Sequence, residues 1–228
     1  MIFFKKPTPT ETVFGFLYFL LQLLIIPSII MVVNMMLPVP YSEAVVNFVF
    51  FAVNFVTVLI IFRKFLAANF RSLLAYPWYT LRCAGIGFLI YMAGNTVFSL
   101  LVTALVPEFA NINDAAIMEM VQDNFTLMTI GTVILVPIAE ECFYRGLIFR
   151  NLYDKSPFLA YALSMILFSL AHVLAYVGME DFGTLALCFI QYLPPAFALA
   201  WSYRRSGSIF APILIHMVVN QTGMLLMR

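Results

Sequence analysis

The sequence predicts an all-α polytopic membrane protein with about seven transmembrane helices and a cytoplasmic N-terminus. Hydrophobic residues make up 64% of the 228 residues and charged residues only 10%, against roughly 25% in a soluble domain. The mean hydropathy is +1.00, and long apolar stretches recur along the whole chain. Backbone groups in lipid must be hydrogen-bonded within their own segment, so we expect these stretches to be helices.

Seven apolar segments are each long enough to cross about 30 Å of hydrocarbon. They are residues 12–36, 43–62, 83–106, 125–150, 157–178, 184–203 and 208–227. The first is too long for a cleaved signal peptide, so we interpret it as a retained helix. No soluble domain separates the segments, and residues 1–228 are therefore expected to form a single membrane domain.

The distribution of charge predicts the orientation of these helices. Lys and Arg fall on one side of the seven-span topology: Lys5, Lys6, Arg63, Lys64, Arg71, Arg82, Arg145, Arg150, Lys155, Arg204 and Arg205. The opposite loops carry acidic residues: Glu43, Glu108, Asp114, Glu119, Asp123, Glu180 and Asp181. Only Arg228 breaks the pattern, which places the N-terminus in the cytoplasm and the C-terminus outside.

Residues 65–82, FLAANFRSLLAYPWYTLR, are less apolar than the predicted spans on either side. They fit a helix that lies along the cytoplasmic interface, and they fit an ordinary connecting loop equally well. The net charge of +1 argues against a nucleic-acid partner, and the lipid bilayer is the expected environment. Three scattered cysteines, Cys83, Cys142 and Cys188, argue against a disulfide framework or a thiolate zinc site.

Ionisable side chains interrupt three of the predicted spans. The fourth contains PIAEECFYRG at residues 137–146, and both histidines of the chain, His172 and His216, lie in later spans. A charged group at the bilayer centre costs about 2.5–3.5 kcal/mol on insertion scales, so such groups are usually functional. Taken singly, each cluster also fits a structural role as an ion pair or as a polar contact between helices.

Helix geometry sorts these side chains by face. Glu141 and Arg145 are four residues apart and share a face, whereas Glu140 is rotated by about 100° from Glu141. Phe168 shares a face with His172, and Asn220 follows His216 by four residues. A rise of about 1.5 Å per residue gives the clusters depths that are compatible with one polar pocket in the cytoplasmic half to the middle of the membrane. Cys142 points about 200° away from Glu140, which makes it a poor candidate nucleophile.

Together, EExxxR, FxxxH and HxxxN resemble the motifs of the CAAX protease and bacteriocin-processing (CPBP, Abi/Rce1-like) family of intramembrane glutamate proteases. The motif residues are Glu140, Glu141, Arg145, Phe168, His172, His216 and Asn220. The resemblance covers residues 125–227, which would form the catalytic core. It implies a metal-independent endopeptidase without a cofactor, in which Glu140 and His172 activate water while His216 and Asn220 hold the oxyanion. It also implies that Glu141 and Arg145 orient the site.

The implied substrate is a membrane-associated, lipidated or leader peptide, cleaved near the cytoplasmic face. The short loops favour a multi-pass protein of a bacterial inner membrane, and the sequence carries no signal of the oligomeric state. Three alternatives stay open. Two Glu and two His could ligate a metal, although HExxH is missing. A non-catalytic scaffold or immunity regulator could keep the polar pocket, and a transporter could use it as a proton relay, although its motifs are not repeated in the first half of the chain.

Overall fold

A computed structural model describes residues 4–228 as a bundle of helices. The helices are α1 (Pro9–Met35), α2 (Glu43–Ile61), α3 (Arg63–Ala75), α4 (Pro77–Leu105), α5 (Ile112–Tyr153), α6 (Pro157–Ala171), α7 (Phe182–Ser206) and α8 (Phe210–Leu226). A short 3-10 turn, Leu174–Tyr176, follows α6. Within residues 4–228 the backbone forms no β-strand.

The predicted all-α polytopic membrane class is confirmed. Seven of the helices coincide with the seven predicted apolar segments, and α1, α2, α4, α5 and α7 are long and apolar enough to cross a membrane. The other two are shorter, with 15 residues in α6 and 17 in α8. The number of spans and the cytoplasmic N-terminus therefore stay predictions.

Local sequence signals begin and end several helices. Thr8 and Glu11 form a capping box at the start of α1, in which each side chain satisfies a backbone N–H of the other. Asp181 caps α7, and Gly207 ends it in the left-handed conformation with φ of 70°. Glycine adopts this conformation without a steric penalty, which allows α8 to begin three residues later.

The fifth predicted span departs from expectation at its C-terminus. The sequence predicts a helix over 157–178, but α6 ends at Ala171. The reason is visible at His172, whose ring Nδ1 lies 2.8 Å from the Phe168 carbonyl oxygen. The backbone N–H of His172 instead reaches Ser169, at 3.3 Å. The side chain thus replaces a helical hydrogen bond, and the chain leaves the helix at the residue that carries the imidazole.

Close contact between α4 and α7 ties the first half of the chain to the second. Gly87 is buried in this contact, and a Cβ atom there would lie 2.7 Å from Ile215 Cδ1 and 2.8 Å from Ser202 Cβ. The large apolar side chains of α1 and α4 that remain exposed include Leu20, Leu24 and Leu100. In a polytopic membrane protein, such exposed apolar faces are expected to contact lipid acyl chains.

The predicted interfacial segment 65–82 is split between two helices. Its first part lies in α3, and its last part belongs to α4, which begins at Pro77. Asn69 of α3 is fully buried and accepts a hydrogen bond from the backbone N–H of Ile209 at 3.0 Å. We propose that α3 lies along the membrane interface, anchored to the bundle through this contact.

Gly87→Ala is expected to lower the free energy of unfolding by about 1–3 kcal/mol, because the added methyl group overpacks the α4–α7 contact. Thermal unfolding in detergent micelles measures the change. Gly85→Ala on the same helix is the matched control, since a Cβ atom at Gly85 would meet nothing within 4 Å. Equal melting temperatures for the two variants would contradict the packing described here.

Candidate active site

The carboxylate of Glu141 lies at the centre of the polar cluster. Its side chain and that of Arg145 are both 0% exposed, and Arg145 Nη1 lies 3.0 Å from Glu141 Oε1. Arg145 also donates to the Ala196 carbonyl oxygen of α7 at 3.2 Å, and its guanidinium lies 4.6 Å from the centroid of the Phe168 ring. One buried cation therefore connects α5, α6 and α7.

His216 of α8 lies between the two adjacent carboxylates. Its Nδ1 is 3.0 Å from Glu141 Oε1, and its Nε2 is 3.9 Å from Glu140 Oε2. A carboxylate that is already paired with Arg145 only accepts hydrogen bonds, so Nδ1 is the nitrogen that carries a proton toward Glu141. Nε2 is left facing Glu140.

His172 is oriented in a similar way by a different acceptor. Because a carbonyl oxygen only accepts, the short Nδ1 contact to Phe168 means that Nδ1–H donates and Nε2 remains available. The imidazole also stacks on Tyr192 of α7, with ring centroids 4.1 Å apart and an interplanar angle of 28°. The ring of Phe168 packs against the same imidazole at 4.6 Å.

Tyr192 is a site residue that the sequence analysis missed. Its hydroxyl accepts from Asn113 Nδ2 at 3.1 Å and contacts Asp114 Oδ1 at 3.4 Å. These contacts link the aromatic ring that supports His172 to the first turn of α5. A partial signal is present in the sequence, since Tyr192 lies two residues before the Pro194–Pro195 pair, but a tyrosine in an aromatic-rich chain does not stand out.

All four predicted catalytic side chains line one cavity of about 640 Å³. They come from α5, the end of α6, and α8: Glu140, His172, His216 and Asn220. Glu140 is 25% exposed, in contrast to the fully buried Glu141. Its Oε2 has no hydrogen-bond partner among residues 4–228. The two adjacent carboxylates thus occupy different environments, one paired and sealed, the other facing the cavity.

Asn220 is partly committed to the scaffold. Its amide nitrogen donates to the Thr132 carbonyl oxygen at 2.7 Å. Thr132 lies in a π-helical stretch of α5, Ile130–Leu135, and a second such stretch, Cys142–Phe149, follows the two glutamates. Such wide turns shift the helical hydrogen-bond register and are frequent at functional sites. A primary amide has two N–H groups, so one remains for the cavity.

A second cavity, of about 420 Å³, meets the first at Glu140. It lies between α1, α2, α5 and α6, and its walls are mainly apolar, with Leu23, Pro27, Phe50 and Phe143 among them. Glu140 is thus the ionisable residue that both cavities share. The arrangement offers an apolar surface directly beside a carboxylate.

The cysteine beside the two glutamates does not join this centre. Cys142 is fully buried in the apolar core and lines neither cavity. Asn54 accepts a hydrogen bond from the Tyr18 hydroxyl at 2.8 Å and lines the second cavity. Asn95 and Gln191 line the larger cavity. Within residues 4–228, no three His, Cys, Asp or Glu side chains are arranged to hold a metal ion.

The fold and this site define a polytopic membrane protein with a buried cluster of carboxylates and imidazoles beside a cavity. Residues 122–222 match the Rce1-like family, described as type II CAAX prenyl endopeptidase Rce1-like. The match includes all seven motif residues and confirms the resemblance drawn from EExxxR, FxxxH and HxxxN.

Two curated proteins are similar to part of the chain. One is the "putative membrane peptidase YdiL" of Bacillus subtilis, 33% identical over 109 residues, which are 47% of this chain and 40% of that protein. The other is "UPF0177 protein YxdF" of Lactococcus lactis, 28% identical over 90 residues, which are 40% of this chain and 44% of that protein. The chain therefore spans less than half the length of these relatives. No solved structure matches the chain.

Glu141→Gln is expected to lower the free energy of unfolding by about 3–5 kcal/mol, because it leaves Arg145 buried without its counter-ion. Asp154→Asn is the matched control. Asp154, one residue beyond the end of α5, pairs with Arg150 at the same spacing and also with Lys6, but its side chain is 50% exposed, so its replacement is expected to cost less than about 1 kcal/mol. Thermal unfolding in micelles compares the two variants, and a similar loss in both would contradict a central role for the Glu141 pair.

Proposed function

We propose that the chain is an intramembrane endopeptidase that hydrolyses a peptide bond of a membrane-associated substrate without a resident metal. The observation that carries this proposal is the convergence of Glu140, His172, His216 and Asn220 on one cavity. The Rce1-like match over residues 122–222 and the similarity to a protein described as a membrane peptidase support the same class of reaction.

In this proposal Glu140 is the general base and His172 positions the attacking water. Glu140 takes a proton from the water molecule while the oxygen of that water bonds to the carbonyl carbon of the scissile peptide. The tetrahedral intermediate then collapses, the C–N bond breaks, and Glu140 returns the proton to the leaving nitrogen. The 25% exposure of the Glu140 side chain and the available Nε2 of His172 suit these roles.

The oxyanion would be held by His216 and by the second N–H of Asn220. For His216 to donate from Nε2 it must carry protons on both ring nitrogens. Glu141 Oε1 lies 3.0 Å from Nδ1 and accepts one of these two N–H groups.

The two cavities support an amphipathic, membrane-associated substrate. The peptide backbone would lie in the larger cavity, which holds His172, His216 and Asn220 beside Glu140, while an apolar side chain or lipid group would occupy the cavity between α1 and α2. Such a substrate includes the lipidated and leader peptides that the family resemblance implies.

Glu140→Gln is expected to lower kcat/KM by about 10³-fold, since general base catalysis typically contributes 10²- to 10⁴-fold. His172→Ala and His216→Ala should each lose at least about 10²-fold. The measurement uses purified protein in liposomes, a mixture of synthetic lipidated and unlipidated leader peptides, and mass spectrometry of the products. An unchanged melting temperature for Glu140→Gln controls for folding.

Full cleavage activity in purified Glu140→Gln protein would overturn the proposal. Loss of activity on treatment with a chelator, with stoichiometric metal in the pure protein, would favour the metalloprotease instead. A cellular phenotype that survives in Glu140→Gln would favour a scaffold or immunity regulator.

Tyr192 is proposed as a positioning residue for His172. Tyr192→Leu removes the stacked ring and is expected to lower kcat about tenfold or more with little change in KM, because small displacements of a catalytic group are costly. Tyr192→Phe keeps the ring and should retain most of the wild-type kcat. Wild-type turnover in Tyr192→Leu would rule out this role.

A further inference from the structure

The larger cavity lies toward one end of the helix bundle. One end of the bundle, here called the acidic end, carries Glu43, Glu108, Glu180 and Asp181. The opposite end, here called the basic end, carries Arg63, Lys64, Arg150, Lys155, Arg204 and Arg205. Consecutive long helices joined by short loops run antiparallel, and contacts at the basic end fix this arrangement. Tyr79 at the start of α4 donates to the Arg205 carbonyl at 3.1 Å. Lys6, before α1, pairs with Asp154 at 2.7 Å.

The cavity walls come from the parts of the helices that point to the acidic end. Asn47 lies in the first half of α2 and Gln191 in the first half of α7, whereas Val219 and Met227 follow His216 along and just beyond α8. The first turn of α5 contributes Asn113 and Asp114. Among the described residues that line the cavity, none comes from 62–76, 150–160 or 203–210 at the basic end.

The basic half of the bundle is packed solid beneath the site. Arg145, Phe149, Tyr203 and Ile209 are among its largest fully buried side chains. The N-terminal segment closes this end further, because the Phe4 ring lies 4.7 Å from that of Tyr203. The Tyr203 hydroxyl donates to the Lys5 carbonyl at 3.2 Å.

The arm of the cavity that leads to the acidic end carries a row of polar side chains among apolar ones. Asn95, Asn113, Asp114 and Gln191 line it together with Tyr192. These amide, carboxylate and hydroxyl groups can hydrogen-bond both water and the backbone of an extended peptide. A hydrolase needs such a path, since each turnover consumes one water molecule.

We propose that water and substrate reach Glu140 from the acidic end of the bundle, which the positive-inside pattern places outside the cell membrane. The substrate class is then a peptide that has crossed the membrane, or the outer juxtamembrane segment of a membrane-anchored protein. The substrate class depends on the proposed protease function, but the side of access does not. The family resemblance implies cleavage near the cytoplasmic face, whereas the cavity argues for the opposite face.

Cysteine labelling tests the side of access without requiring catalysis. Val219→Cys places a thiol in the cavity, and Met217→Cys on the same helix is the matched control because Met217 lines neither cavity. Lys155→Cys marks the basic end. Each full-length variant is treated with a charged, membrane-impermeant maleimide in right-side-out and inside-out vesicles. Because Cys83, Cys142 and Cys188 are buried, the wild-type chain supplies the blank rate.

We expect Val219→Cys to react at least about tenfold faster in right-side-out than in inside-out vesicles, with Lys155→Cys showing the reverse. Met217→Cys should react slowly in both. Two results would overturn the proposal: labelling of Val219→Cys and Lys155→Cys from the same face, or no faster labelling of Val219→Cys than of Met217→Cys. Labelling of Lys155→Cys from outside would overturn the outward orientation. If labelling follows expectation and no peptide is cleaved, the protease function fails while the side of access stands.

Discussion

The site depends on the carboxylate of Glu141, which is fully buried and needs its charged and hydrogen-bonding partners beside it. Arg145 and His216 both contact the same oxygen at 3.0 Å, so helices α5 and α8 are held in one register. Arg145 extends the connection to α7 through the Ala196 carbonyl and to α6 through the ring of Phe168. An unpaired charge here would cost several kcal/mol, and this penalty specifies how the four helices meet. Glu140, one residue earlier, takes no part in the pair with Arg145 and faces the cavity.

Much of this architecture follows from sequence patterns that have a direct physical cause. Hydropathy places seven apolar helices because an uninterrupted apolar run has few alternatives in lipid. The spacing of four residues predicts that Glu141 and Arg145 share a helix face, as the 3.0 Å contact between them confirms. His172 and His216 stand out in the sequence because a polar side chain in a membrane span is energetically costly and finds no hydrogen-bond partner in lipid. Their grouping around one cavity agrees with the pocket that the sequence predicts, while their catalytic roles stay proposals.

Other features depend on tertiary contacts that no local pattern encodes. The early end of α6 at Ala171 arises from a bond between the His172 side chain and its own helix. Tyr192 and Gln191 come from α7, and Asp114 reaches Tyr192 from the first turn of α5. Between Asp114 and Glu140, α5 bends at Asn124, where the backbone leaves helical geometry. The hydropathy of the chain does not distinguish a cavity from a packed core. The hydropathy pattern therefore leaves open where the site is accessible, while the cavity walls toward the acidic end and the large buried side chains at the basic end indicate a direction.

Glu140 and its neighbouring imidazoles are proposed to hydrolyse peptide bonds within the membrane. The most direct measurement compares membrane-bound and secreted peptides, by mass spectrometry, in cells that carry the wild-type chain or Glu140→Gln at equal abundance. We expect specific precursors to remain uncut in the Glu140→Gln cells and their new chain ends to appear only with the wild type. Identical sets of peptides in the two cell types would contradict it.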